Sequence, residues 1–282
     1  MYLNKLHINM NKCCYLHFQP RGGRSPTTTV EENLEITVNQ TVIKKVSQTK
    51  FLGVIIDENL SWGPHIQQLT KKLASSSGVI NQIKDNIPCE LHKNLYHTLF
   101  ESHLAYGITV WGGVSNNKLL PLFRVQKRCL RILFGDREAY LDKFKTCVRA
   151  RPLGDQQLDS KFYMKEHSKP LFIKHCLMTV HNLYYYHCCM EILKILKFRL
   201  PIGLYGIFKL SDRKDTLLLT PCPTTQFVYK AGIAWNFCRQ KLIILDFSVK
   251  IGQLKHALQN QIHGIQLSGD TCEWENNNFL QI

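Results

Sequence analysis

Ser61-Trp62-Gly63-Pro64-His65-Ile66-Gln67-Gln68-Leu69-Thr70-Lys71-Lys72-Leu73-Ala74-Ser75-Ser76-Ser77-Gly78-Val79-Ile80-Asn81-Gln82-Ile83 is where the periodicity of this chain changes. Before it, apolar residues alternate with polar ones or run together. Within it, Ile66, Leu69, Leu73, Ser76, Ile80 and Ile83 recur at steps of three and four, which is one face of an α-helix. Ser61 is a capping residue type, and Pro64 falls in the first turn, where a missing N–H costs little. Lys71, Lys72 and Lys84 lie off the stripe.

Downstream the helical signal persists. Pro88 opens a second helix with Leu91, Leu95 and Leu99 stacked at i, i+4, and a short segment from Ser102 to Trp111 ends at Gly112-Gly113. Asn116 or Asn117 caps a third helix to Phe134. Its apolar side is Leu119, Leu122, Val125 or Cys129, and Ile132 or Leu133, and Gly135 stops it. Its other side carries Arg124, Lys127, Arg128 and Arg131. Residues 61–135 therefore predict an antiparallel bundle with short connections. After a loop holding Arg149, Arg151 and Pro152, one long helix is expected from Leu171 to Phe198, ended by Pro201. Residues 205–230 read as turn-rich and irregular, and 247–263 as a last amphipathic helix before a loose polar tail at 270–282.

Upstream, to about Leu60, the pattern is mixed α/β. Leu3, Leu6 and Ile8 suit a helix end, and Cys14 to Phe18 a strand. A loop of Arg, Gly, Ser, Pro and Thr follows over 20–29. Leu34, Ile36 and Val38 alternate as in a half-buried strand, Asn39-Gln40 makes a tight turn, and Val42 begins the return. Phe51 to Asp57 is a continuous apolar run that fits a buried strand.

The 282 residues carry 36 Lys and Arg against 21 Asp and Glu, a formal charge of +15. Such an excess favours a polyanionic partner, because Lys and Arg release counterions from nucleic-acid phosphates. No stretch reaches the roughly 18 apolar residues of a membrane span, and the start of the chain has no apolar signal core. Eleven cysteines fall at irregular spacing, an odd number that suits reduced thiols inside a cell. His175, Cys176, His181, His187, Cys188 and Cys189 crowd together but lack the paired spacing of structural zinc, so no metal site is assigned. Trp62, Trp111 and Trp235 read as packing anchors. Tyr184, Tyr185 and Tyr186 could stack bases, but consecutive positions cannot share a helical face, and packing is the preferred reading.

Phe51-Leu52-Gly53-Val54-Ile55-Ile56-Asp57-Glu58-Asn59-Leu60-Ser61-Trp62, then His65-Ile66, resembles the reverse transcriptases of non-LTR (LINE-type, jockey-like) retrotransposons just past their catalytic palm. The likeness continues in order through Leu95-Tyr96, Ser102-His103-Leu104-Ala105-Tyr106-Gly107, Val110-Trp111-Gly112 and Val125-Gln126-Lys127-Arg128-Cys129-Leu130-Arg131-Ile132. Leu200-Pro201 and Lys230-Ala231-Gly232-Ile233-Ala234-Trp235-Asn236 follow, the latter similar to a family element built on Gly and a Trp-Asn pair. Upstream, Asn4-Lys5-Leu6-His7-Ile8-Asn9 with Lys12 resembles the end of the palm, although Cys13 stands where the family usually has Thr. Any one of these is weak; their order over most of the chain is not.

The resemblance implies a fold that is mainly α with a small N-terminal α/β part. Residues 1–60 would be a palm remnant with a primer-grip-like hairpin at Phe51, Leu52 and Gly53. Residues 61–150 would be a thumb-like bundle, and 151–282 a C-terminal helical region. It also implies that Lys12 sits at the palm lysine that protonates departing pyrophosphate. The family works through magnesium held by paired aspartates. Here no two aspartates are adjacent and none follows an aromatic in the family's pattern, so no catalytic residue, metal ligand or cofactor is assigned and no polymerase activity is expected of this chain alone. The expected partner is an RNA/DNA template–primer, held without sequence preference by Arg124, Lys127, Arg128 and Arg131 with Lys71 and Lys72. An exposed palm edge would also offer strands to other protein chains. The competing expectations are a helical protein-interaction module and a non-functional mobile-element relic.

Overall fold

A computed structural model describes residues 9–18, 35–38, 41–135, 168–199, 207–210, 217–218, 227–241 and 259–260. The expectations for the first eight residues, the loop at 20–29, the turn at 39–40, the basic loop around 149–152, Pro201, the tail, and all but two residues of the helix at 247–263 lie outside them. The fold is mainly α with a few short strands. It divides into two compact units, Met1–Gln68 and Leu69–Ile282, with the boundary inside helix α1 (Gly63–Ile83).

In the first unit the described strands form two-stranded pieces. β1 (Cys14–Tyr15) runs parallel to β4 (Lys44–Lys45), while β2 (Thr37–Val38) and β3 (Thr41–Val42) are antiparallel. The Phe51–Asp57 run is not one buried strand. It spans the end of one strand, the turn and the return strand of a hairpin, with β5 (Gln48–Phe51) pairing β6 (Val54–Asp57) so that Phe51 faces Val54. Leu52 and Gly53 form the turn at φ 46° and 85°, the two positive values that a tight two-residue hairpin turn requires. The sequence hides this turn because leucine, not asparagine, occupies the first position. Phe51 and Leu52 are 61% and 75% exposed.

The hairpin ends on Asp57, which builds the start of α1. Both carboxylate oxygens accept from the Ser61 N–H, at 3.0 and 2.9 Å, and Oδ1 also accepts from the Trp62 N–H at 2.9 Å. Ser61, the expected capping residue, also takes part: its Oγ accepts from the Gly63 N–H at 3.3 Å. Burial raises the Asp57 pKa, but the Ser61 and Trp62 hydrogen bonds outweigh it and leave the carboxyl below its usual range.

In the second unit, α1 buries Leu69, Leu73, Ser77 and Ile80. Ser77, rather than the expected Ser76, faces inward, donating to the Leu73 carbonyl at 2.9 Å. The next segment corrects the expectation more strongly. Leu91 is exposed, and Leu95 and Leu99 are half-buried. The inward stripe is one residue later: His92, Tyr96, Phe100 and Leu104. It runs through α2 (His92–Leu95), a π-helical stretch at Tyr96–Glu101 and α3 (Ser102–Ala105). Side chains every four residues overshoot an α-helical turn by about 40° per step. The wider π turns take up that drift and keep the aromatic stripe inward. Gly107, at φ 61°, then redirects the chain into α4 (Ile108–Trp111).

Helix α5 (Asn116–Phe134) begins after Ser115 rather than at an asparagine cap. Its buried face is Leu119, Leu122, Gln126, Cys129, Leu130 and Leu133. Gly135 follows it in extended conformation, so the helix stops without a left-handed glycine. The single long helix expected from Leu171 is broken into α6 (Lys169–Lys174) and α7 (Val180–Phe198). At the break Cys176 takes φ 50°, the Leu177 N–H reaches back to the Phe172 carbonyl and the Cys176 N–H to that of Ile173. This is the Schellman pattern with cysteine where glycine is usual. Thr179 then caps α7 by accepting from the Asn182 N–H.

Helix α7 is buried on nearly every side, from Val180 to Ile195, as expected of a helix enclosed by others. It packs against α3, α4, α5 and α8 (Phe227–Lys241). At Gly112 a Cβ would lie 2.6 Å from the Tyr184 ring and 2.6 Å from the Ile108 carbonyl oxygen, so glycine is needed for this close approach. Between α5 and the start of α7 lies Gln126, fully buried. Its Nε2 donates to the Tyr96 hydroxyl at 2.7 Å and the Met178 carbonyl at 2.9 Å, and its Oε1 accepts from the Val180 N–H at 3.0 Å.

Replacing Gln126 by Leu keeps the volume but orphans the Val180 N–H and the Met178 carbonyl. We expect a loss of about 2–4 kcal/mol, at roughly 1–3 kcal/mol per buried unsatisfied group, read as a lower urea midpoint. An unchanged midpoint would refute the role given to this amide. Asp57→Asn is expected to cost about 1–3 kcal/mol at neutral pH. Because the folded carboxyl titrates below its unfolded value of about 3.9, its contribution is present above that value and fades as pH falls through the folded one. Stability curves of the native chain and the Asp57→Asn variant should therefore converge in acid; parallel curves would show that Asp57 is not the group responsible.

Candidate nucleic-acid interface

The cations expected to hold a duplex are sorted by the helix that carries them. On α5, Arg124 and Arg128 are exposed one turn apart, about 6 Å along the axis. Lys127 and Arg131 are only half-exposed. Lys127 Nζ sits 4.5 Å from the centre of the Phe123 ring, and that ring meets His181 edge-on. The Arg131 Nε is buried. The four residues therefore divide into an outward pair and a pair that leans toward the core. Gln126 lies between them in sequence and faces inward, which fixes the rotation of α5 and so which cations face solvent.

Lys71 and Lys72 are exposed on α1, and the positive charge of Lys72 reaches His103. Burial and then Lys72 lower the His103 pKa. The two ends of the bundle meet where Lys84 Nζ donates to the Ile132 carbonyl at 3.2 Å. His92 lies within hydrogen-bond distance of the Leu133, Lys84 and Ile87 carbonyls. Lys84, expected on the open side of α1, thus anchors the last turn of α5. In the first unit Lys12 ends a short 3-10 turn, Met10–Lys12, and is exposed. Phe51, Leu52 and Gly53 form the exposed tip of the β5–β6 hairpin.

The aromatic residues pack. Trp111 is fully buried and donates from Nε1 to the Tyr106 carbonyl at 3.0 Å, and Trp235 is buried in α8. Tyr184 and Tyr186 are buried and Tyr185 half-buried. Burial pushes the Tyr185 and Tyr186 phenols up to about 12 and Tyr184 higher still. Cys188 and Cys189 are both buried, and desolvation raises the Cys188 thiol to about 12. Among the described residues no group of three His, Cys, Asp or Glu is placed to hold a metal ion, and no helix is long and apolar enough to cross a membrane.

Several structural ties were named in the sequence only as parts of motifs. Asp57 organises the start of α1, and Gln126 joins three segments. Lys230 Nζ donates to the Gly113 carbonyl at 2.6 Å, binding α8 to the end of α4; its burial lowers its pKa. The Asn236 amide clamps the Leu217 backbone twice, accepting its N–H at 2.7 Å and donating to its carbonyl at 3.0 Å. The signal available in sequence was that these polar residues sit among apolar neighbours, where a buried amide or ammonium must find a partner.

Comparison with known proteins supports the resemblance at family level. No family model matches the chain, and no solved structure matches it. The RNA-directed DNA polymerase from mobile element jockey of Drosophila melanogaster is 27% identical over 135 residues, 46% of this chain. The chain covers 14% of that protein's length. This mainly helical chain is therefore similar, over part of its length, to part of a mobile-element reverse transcriptase.

Proposed function

We propose that this chain is the thumb-like and C-terminal part of a non-LTR reverse transcriptase and that it holds a primer–template duplex by its phosphate backbone. The observation that carries this reading is the outward pair Arg124 and Arg128 on α5, a helix whose rotation is fixed by the buried Gln126 amide. Two guanidinium groups about 6 Å apart along a rigid helix match neighbouring phosphates of one strand. Contacts to phosphate position a duplex without reading its bases. Lys71 and Lys72 on α1 add to the same positive field, which in a chain of charge +15 also speeds encounter with a polyanion.

Lys127 and Arg131 have a secondary part, because the ring beside Lys127 and the burial of the Arg131 Nε already engage them. The Phe51-Leu52-Gly53 tip is the proposed contact with the primer end, where exposed apolar side chains can lie against the last base pair. Lys12, exposed at the end of the 3-10 turn Met10–Lys12, stands in this reading at the palm-lysine position. Nucleotide addition is not proposed for this chain acting alone.

The test is binding of the whole chain to a fluorescently labelled RNA–DNA hybrid across a salt series. Affinity should fall steeply with salt, and changing Arg124 and Arg128 together to Ala should reduce the log–log slope by about 2, at roughly 0.9 per phosphate contact. Changing Lys127 and Arg131 should reduce it less. Binding that persists at high salt, or a slope unmoved by the double substitution, would remove α5 as the interface.

A further inference from the structure

His92 begins α2 and is buried, 8% exposed. Its two ring nitrogens face backbone carbonyls. Nδ1 lies 3.2 Å from the Leu133 carbonyl, and Nε2 lies 3.0 Å from that of Lys84 and 3.2 Å from that of Ile87. The Leu133 carbonyl belongs to the last turn of α5, where the final carbonyls have no partner within their own helix. Lys84 and Ile87 bound the 3-10 turn, Lys84–Asn86, that follows α1. One ring therefore joins the ends of two helices.

A carbonyl oxygen accepts and never donates, so each ring nitrogen that faces one needs its own proton. A neutral imidazole has one N–H and one lone pair. In either tautomer that lone pair would point at a carbonyl oxygen in a nearly dry site, which is costly. Turning the ring over does not help, because it puts carbon atoms where the nitrogens stand. Only the imidazolium donates to both helix ends. The C-terminal end of a helix is also negative, which favours a cation there. Lys84 uses the same field one residue earlier, donating from Nζ to the Ile132 carbonyl at 3.2 Å.

The other charged and titratable groups come from each element that meets at this point. The 3-10 turn brings Lys84 and, 3.9 Å from its Nζ, the exposed Asp85 carboxylate. Glu90 and Lys93 flank His92 on its own segment, and Arg131 lies in the last turn of α5. From α6 come Lys174 and the C-terminal neighbour His175, whose ring stacks on Phe134 at 3.9 Å. Burial, then Lys174 and Lys93, lower the His175 pKa, which disfavours the charged form of that ring.

We propose that His92 is held as an imidazolium and acts as a proton-operated latch between the end of α5 and the turn after α1. With both protons it closes the two ends on each other. On losing either one it turns a lone pair on a carbonyl and lets that end go. The closed state binds the proton more tightly than the open one, so the latch contributes fully in acid and is lost as pH rises. Opening frees the last turn of α5, which carries Arg131. The proposal goes beyond the duplex-holding reading, and its test contains no nucleic acid.

The experiment is NMR of the whole chain with 15N-labelled histidine, together with amide hydrogen exchange across a pH series. An imidazolium shows its two ring nitrogens close together in the protonated range, whereas a neutral ring splits them far apart. His92 is identified by its contacts with the Phe134 ring, and by the signals lost in His92→Gln. It should keep the cationic pattern at neutral pH. After correction for intrinsic exchange, protection of the Gly135 and Ile87 amides should fall with rising pH by up to about tenfold per unit, the slope of one proton. These amides bond to the Arg131 and Lys84 carbonyls and so report on the two latched ends. In His92→Gln their protection should be weaker in acid and flat with pH. A split nitrogen pair at neutral pH overturns the proposal, and so does protection in the native chain that does not change with pH. Both results come from the native chain and stand even where the variant fails to fold.

Discussion

The second unit depends on one amide. Gln126 comes from the middle of α5 and ends among the Tyr96 hydroxyl, the Met178 carbonyl and the Val180 N–H, with both N–H donors and its oxygen engaged. A buried amide has no alternative partner in an apolar interior, so this geometry is enforced by the cost of leaving it. Three segments far apart in sequence are thereby brought to one point. The Val180 N–H is one of the first-turn donors of α7 that lack a partner within their own helix. Gln126 therefore fixes the entry of the most buried helix as well as the rotation of α5.

That rotation separates surface from core among the basic residues. With Gln126 inward, positions two before and two after it fall on the opposite side, and these are Arg124 and Arg128. Lys127, one residue along, lies nearer the buried edge, while Arg131 is half-exposed with its Nε buried. The same arrangement places Cys129 inward, its thiol raised by burial to about 12, which makes it a packing group rather than a nucleophile. The ties made by Lys230 to Gly113 and by Asn236 to Leu217 repeat the device at the other side of α7. Each uses a polar side chain to satisfy the backbone of a segment that carries little regular structure of its own.

The helical class, the boundaries of α1 and α5, and the stripe of α1 were legible because they rest on apolar spacing. What was not legible rests on exceptions to the usual residue types. The Leu52-Gly53 turn lacks an asparagine signal, and the bend at Cys176 lacks glycine, so the sequence reads as uninterrupted strand and uninterrupted helix. In the segment after Pro88, leucines at 91, 95 and 99 compete with His92, Tyr96 and Phe100 at the same spacing. The aromatic set is inward because Tyr96 and Phe100 bury more area and stack on each other at 5.4 Å, and because the Tyr96 hydroxyl finds Gln126. Of the candidate site, the identity of the cations was legible, but the division into outward and inward pairs was not. It follows from Gln126, whose polar side chain disguises a position that the steps from Leu122 and to Cys129 place on the buried face.

Left-handed backbone at non-glycine residues costs roughly 1–2 kcal/mol each, and where it occurs shows what the surrounding contacts must outweigh. Leu60 and Trp62 take φ 48° and 59° on either side of Ser61. The Asp57 carboxylate holds the intervening N–H groups, and the Leu60 N–H also returns to the Asp57 carbonyl at 2.9 Å. One acidic residue thus supplies several charge-assisted hydrogen bonds, each stronger than a neutral one, and keeps two strained residues in place. Cys176 is held differently. Its bend is held by two backbone hydrogen bonds, at 3.1 and 2.9 Å, and by the capping of α7 at Thr179. The two bends thus hold left-handed residues by different means, a buried carboxylate at one and returning backbone N–H groups at the other.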